Sequence, residues 1–386
     1  MKTLLFKMER STLMDQLSIG LVVLALFAIQ LPKGGTLLLL PVLLLAYVQR
    51  AQFRIDPELK RVGLGFIIYV LVFSIVSSDP SRSAKGAYDI LRGLLVFFPA
   101  VWLGTRLTTA DRWQSIALLI ALSFSLVNFA FPDIGGKQAF YGFYDNPNNV
   151  AVALTAHLCL LIALLPRQST GHRTWKTWNM LAFVTALGSF LYLLVLANSR
   201  GAWLGVAAAF SLIALLQPGI TRRIKLALVL AAVACVGVLV AAVDLKGFGY
   251  GTVGARIVIW GGLWSLTVEN HIWLGYGINY VKDLLAASGL PTLTAHNIFL
   301  ELFVSTGLIG VAAFLYVVYR LASFMFRQHY ARGPVLYAGI GGLAAFLVMG
   351  QFDLKFASFK FIAMICCFLG LIHSQRLRPV ATGLRA

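Results

Sequence analysis

The chain has 386 residues, of which 59% are hydrophobic and only 12% charged, and its mean hydropathy is +0.84. These values exclude an ordinary soluble domain, and with it the usual allowance of one domain per ~150 residues, because helices packed in lipid form one bundle. The formal charge of +18 would point to nucleic acid in a soluble protein, but here it is first tested against membrane topology.

Apolar runs of workable length predict about twelve spans, roughly 15–31, 36–49, 62–77, 88–104, 113–131, 148–166, 179–198, 201–217, 224–243, 297–319, 334–351 and 357–373. The fold class expected is therefore an all-α polytopic membrane protein, residues 1–386 forming a single transmembrane bundle. The opening MKTLLFKMERSTLMDQLSIG starts with charge but has no small-residue cleavage site, so it is expected to remain as the first helix. With the amino terminus cytoplasmic, 21 of the 32 basic residues fall on that side, and the other side shares its eleven with nine of the fourteen acids. Both termini are thus predicted cytoplasmic, and the basic excess needs no nucleic acid. Cys159, Cys235, Cys366 and Cys367 all lie inside predicted spans, where cysteine serves as a small apolar residue.

The first three spans carry almost no ionisable side chains and read as scaffold. The fourth is entered through DPSRSAKGAYDILRG, in which Arg82, Lys85, Asp89 and Arg92 recur at three, four and three residues. At about 100° per residue that spacing holds them within an arc of roughly 80° on one helix face. Such a stripe is costly in lipid and must face the bundle interior or a wet cavity. Asp89 can pair with Lys85 or Arg92, which leaves at least one cation for an anionic ligand; alternatively the stripe snorkels to anionic headgroups.

Between the fifth and sixth spans lies FPDIGGKQAFYGFYDNPNNVA. Asn146 or Asn149 could cap the helix that follows, or present its free N–H groups to anions and sugars, and Tyr141 and Tyr144 could stack on a sugar ring. Within LYLLVLANSRGAWLGVAAAF the chain must turn at Asn198–Gly201, Gly201 permitting a tight reversal. Arg200 is left at membrane depth with no acid nearby in sequence, a placement that points to function.

The longest interval between apolar runs, Asp244 to His296, has the room to fold over a membrane surface and enclose something. Within RIVIWGGLWSLTVENHIWLG, Ile257, Trp260, Trp264 and Val268 are spaced as one face of an interfacial helix, with Arg256 near its start. Trp260 and Trp264 can serve as membrane anchors or as sugar platforms. The interval closes on His296, with Glu301 about a turn and a half inside the tenth span. A neutral imidazole can accept a proton from a hydroxyl, which arginine cannot. No GxxxxGK[ST], GxGxxG, HExxH or paired CxxC occurs, and no acidic pair has metal-ligand spacing, so neither a metal nor a nucleotide cofactor is expected.

The phrases NSRGAWLG, the arginine of GARIVIW, LGYGINY and AHNIFLELFVSTGLIG, together spanning about Asn198 to Gly310, resemble the O-antigen ligase and polymerase family of bacterial envelopes. The resemblance implies an inverting, metal-independent glycosyltransferase with a GT-C type fold and a large periplasmic loop, 244–296, between helices 9 and 10. It implies an inner-membrane location with the active site facing the periplasm. The donor would be an O-antigen glycan on undecaprenyl diphosphate and the acceptor a hydroxyl of the lipid A core oligosaccharide. The family's essential arginines match Arg200 and Arg256, and its essential histidine matches His296. Cations must meet the charge that grows on the diphosphate leaving group, and Arg82, Lys85 and Arg92 are expected to assist there. Tyr144, Asn146, Asn149 and Trp260 are the candidate glycan and acceptor contacts. Alternatives are a polymerase or a protein O-oligosaccharyltransferase of the same family and, from another class, a lipid-linked glycan transporter. A transporter should carry midplane charges and often an inverted repeat, which the sequence does not show.

Overall fold

The computed structural model describes residues 55–106, 147–163, 173–197, 199–217, 252–289, 295–327, 334–351 and 358–376, with scattered positions within 118–140 and 221–230. The spans expected at 15–31 and 36–49, most of those at 113–131 and 224–243, and candidates Tyr144 and Asn146 lie outside these residues.

Two Asp-Pro pairs start the first described helices. α1 (Pro57–Ile75) is capped by Asp56, whose carboxylate accepts from Glu58 N at 2.8 Å, and α2 (Pro80–Leu94) by Asp79, which accepts from Arg82 N at 3.2 Å. In each, proline occupies the first turn, where its missing N–H costs nothing. α3 (Phe97–Arg106) follows after a break at Leu95–Val96. Pro99 explains the break, since its ring would meet the carbonyl of Leu95 in an unbroken helix. The span expected at 88–104 therefore begins earlier, at Pro80, and is interrupted.

Onward run α4 (Pro147–Ala163), α5 (Arg173–Ala197), α6 (Arg200–Leu216), α7 (Thr252–Asn270), the short α8 (Val281–Ala287), α9 (Ile298–Arg327), α10 (Pro334–Met349) and α11 (Phe359–Arg376). A two-residue antiparallel bridge, Ile134–Gly135 with Ala139–Phe140, is the exception to helix among the described residues. Among those residues two helical stretches are long and apolar enough to cross a membrane, Pro80–Arg106 and Ile298–Phe324, and shorter apolar helices accompany them. Outward-facing Leu64, Ile68, Leu71 and Ile75 on α1, the last 74% exposed, form a face that water would not tolerate and lipid would. The protein is an all-helical membrane protein.

Small residues set the helix pairs. A Cβ at Gly205 of α6 would sit 2.6 Å from Met349 of α10, and one at Gly341 of α10 would sit 2.6 Å from Ile213 of α6, so these two helices run antiparallel in close contact. Gly339 and Gly342 meet Ile372 and Phe368, which sets α11 antiparallel to α10, and Gly93 meets Ile362, which sets α2 and α3 parallel to α11. One end of the bundle, hereafter the upper end, thus holds the starts of α2, α6 and α11 and the end of α10. The start of α9 joins it, because Ile298 N donates to the Gly350 carbonyl at 2.7 Å.

At that end α9 is broken. Gly307 has φ 61° and ψ −168°, a conformation other residues rarely adopt, and it releases the helix's backbone groups on both sides. The segment 272–277 takes them up. Tyr276 N and Gly277 N donate to the carbonyls of Val304 and Ser305 at 2.8 and 2.9 Å, while Leu308 N and Ile309 N donate to those of Ile272 and Trp273 at 2.8 and 3.2 Å. The same segment reaches α1 and α2: Ser78 N and Ser77 Oγ donate to the Tyr276 carbonyl, and Ser83 Oγ to that of Ile278. Gly277, at φ 113°, passes against Ser77 and Ser83 with no room for a Cβ. Gly307→Ala and Gly277→Ala should each lower the melting temperature of the purified protein by several degrees, each change combining backbone strain of ~1–2 kcal/mol with a backbone or hydroxyl clash. Gly188→Ala, in the helical interior of α5 with open space around it, should leave melting unchanged or raise it slightly.

Candidate functional site

The stripe predicted on the fourth span is present on α2. Ser83, Gly86, Ala87, Ile90 and Gly93 are buried, which leaves Arg82 and Lys85 exposed and Asp89 and Arg92 half-buried on the opposite side. Asp89 pairs with Arg92 at 2.9 Å, and the Arg92 guanidinium also lies 5.3 Å from the centre of the Tyr88 ring. Arg82 is engaged by Asp79 at 3.6 Å and, more closely, by Asp283 of α8. The Ser81 hydroxyl and the Arg82 N–H hold the Asp79 carboxyl below its ordinary range, so it stays anionic as the α2 cap. Lys85 has no ion pair among the described residues, which makes it the stripe's uncompensated cation.

α7 carries Arg256 on its packed side. Ile259, Leu263 and Thr267 of this helix are buried, and Arg256 lies within a quarter turn of Leu263 in helical projection, while Ile257, Val258 and Trp264 face outward, Trp264 being 56% exposed. The two tryptophans therefore separate. Trp264 keeps an outward position with its ring tilted against Phe303 at 4.9 Å, whereas Trp260 turns inward and donates its indole N–H to the Ala295 carbonyl at 2.7 Å. Trp260 is thus a structural tie, and the two tryptophans do not act as one outward aromatic face.

That tie brings the residue before His296 against the face of α7 that carries Arg256 one turn earlier. His296 itself is half-buried at φ 52°, in the left-handed region. Asn297 then caps α9, its Oδ1 accepting from Phe299 N and Leu300 N at 3.0 Å each. Glu301, 6% exposed, sits in the first turn, where the helix N-terminus favours negative charge. Arg200 occupies the first position of α6, after Ser199, whose Oγ accepts from Ala202 N at 3.4 Å. Gly201, expected to permit a reversal, is instead helical and buried within α6. Asn149 lies in the first turn of α4.

Arg200 begins α6 about one turn above Gly205, which packs on Met349, and Gly350 in turn holds Ile298. The start of α6, the His296 strap and the α2 stripe therefore share the upper end, with Arg256 tied in through Trp260. Sequence reading missed Asp283, the tie of Trp260 and the serines of SSDPSRS. The glycines of LGYGINY and the first glycine of STGLIG were the available signal, since Gly275, Gly277 and Gly307 sit at positive φ in tight packing.

Arginine, lysine and histidine thus gather at one end of a helical membrane bundle, where charge is costly unless paired or in a wet cavity. The O-Antigen ligase family model matches residues 181–315, from α5 through the break in α9. No curated protein matches the chain.

Arg82→Glu or Asp283→Arg alone should weaken docking of α8 on α2, read as faster amide exchange over 278–287, and the double exchange should restore protection. The pair is partly exposed, so the single changes are expected to cost no more than about 1 kcal/mol.

Proposed function

We propose that the protein is an O-antigen ligase: an inverting glycosyltransferase that moves O-antigen glycan from undecaprenyl diphosphate to a hydroxyl of the lipid A core oligosaccharide. The observation that carries the reading is the strap that ties His296 to the Arg256 face of α7 at the end of the bundle where α6 begins with Arg200. All three positions fall within the matched family region. The chain is read as a GT-C type bundle of about twelve spans in the bacterial inner membrane, both termini cytoplasmic and the upper end facing the periplasm.

In this reading the acceptor hydroxyl attacks the anomeric carbon from the face opposite the diphosphate. A new C–O bond forms as the bond to the phosphate oxygen breaks, and its electron pair leaves with the diphosphate. His296 takes the hydroxyl proton, and the attack inverts the anomeric centre. Arg200 and Arg256 meet the charge that develops on the leaving group, each able to grip two oxygens. Lys85, with no ion pair among the described residues, is the stripe's best placed helper; Arg82 and Arg92 already hold carboxylates and contribute less. Tyr144, Asn146 and Asn149 are assigned to glycan or acceptor contact. The step draws on no nucleotide, because the donor arrives activated, and in this reading the arginines take the place of a metal at the diphosphate.

Full-length protein in proteoliposomes, supplied with lipid-linked glycan and either lipid A core or further donor as acceptor, tests this reading. Product on lipid A core is expected; extension of the donor instead would make the protein a polymerase. His296→Ala should lower transfer by about 10²–10⁴-fold, and Arg200→Ala or Arg256→Ala by about 10²–10³-fold, at normal membrane insertion. Wild-type rates in these variants would remove the catalytic assignment. Transfer is expected to persist in excess chelator.

A further inference from the structure

Backbone conformation at His296 is a result of its neighbours. A residue with a β-carbon adopts the left-handed region uncommonly, histidine more readily than most, and His296 has φ 52°. On one side, Ala295 is buried and its carbonyl accepts the Trp260 indole N–H at 2.7 Å. On the other, Ile298 N donates to the Gly350 carbonyl at 2.7 Å and Asn297 caps α9. The histidine is thus clamped between a side chain of α7 and the end of α10. On the α10 side the hydrogen bond joins two backbone atoms. On the α7 side Ala295 is buried in one cluster with Ile259 and Leu263, and its carbonyl takes a side-chain donor.

We propose that Trp260 is a positioning residue for His296: its indole N–H, through the Ala295 carbonyl, fixes the left-handed turn that delivers the imidazole to the Arg256 face of α7. The inference rests on the reading of His296 as proton acceptor. Phenylalanine at position 260 keeps most of the ring that packs with Ile259, Leu263 and Ala295 but has no N–H to donate. Losing the donor frees the turn to relax towards ordinary φ, and a shift of about 1 Å at the imidazole is enough for a rate loss near 10²-fold.

The test compares wild type, Trp260→Phe and His296→Ala as full-length protein in proteoliposomes, measuring kcat, donor KM and melting temperature. For Trp260→Phe we expect kcat to fall at least tenfold, with donor KM within about twofold and melting within ~2 °C of wild type. Wild-type kcat in Trp260→Phe beside an inactive His296→Ala overturns the positioning role and leaves the catalytic reading intact. A kcat loss accompanied by a fall in melting temperature well beyond ~2 °C reduces Trp260 to a packing residue. An active His296→Ala overturns both.

Discussion

Lipid offers no water to a broken helix, so every backbone group released at Gly307 has to find a partner in the protein. The segment 272–277 supplies that partner on both sides of the break, and through it the long interval before α9 becomes part of the bundle. Without the break there would be no free carbonyls at Val304 and Ser305 for Tyr276 and Gly277 to reach. With it, α7 is held at the upper end by main-chain bonds, α8 is brought beside α2, and the strap that carries His296 has a fixed origin. The candidate site follows from this one exchange of backbone hydrogen bonds.

The charges gathered at that end are organised by the same constraint. Each cation brought towards lipid needs either a carboxylate or a ligand. Asp89 and Asp283 answer Arg92 and Arg82, and the two acids come from different segments, one on α2 and one on α8. The second pairing exists only because segment 272–277 has placed α8 next to the stripe. An ion pair between elements so far apart in sequence has no short-range spacing by which to be recognised.

That difference in range separates what was legible in the sequence from what was not. Span positions at 179–198, 201–217, 297–319 and 334–351 coincide closely with α5, α6, α10 and the apolar part of α9, because composition and length dictate them. The one-sided stripe of α2 follows from helical periodicity alone. Hidden from it were the break at Leu95–Val96, where Pro99 acts one turn away, and the inward turn of Trp260. Trp260 and Trp264 share a helical face by spacing, yet the boundary between packed and exposed sides of α7 runs between them and is set by Ala295, thirty-five residues further on. Gly201 looked like a hinge, yet it is already helical, and Ser199 starts α6 with its capping hydroxyl.

The main-chain bonds across α9 have one more implication. They engage N–H and C=O groups, and the side chains of Trp273 and Leu274 point away from them, exposed. Outside its two glycines and the buried Tyr276, whose hydroxyl donates to the Leu266 carbonyl, this stretch is therefore tolerant in composition and fixed in length. One residue more or fewer between Ile272 and Gly277 would put its donors out of step with its acceptors, so variation here is expected as replacement, with insertion and deletion confined to the chain on either side.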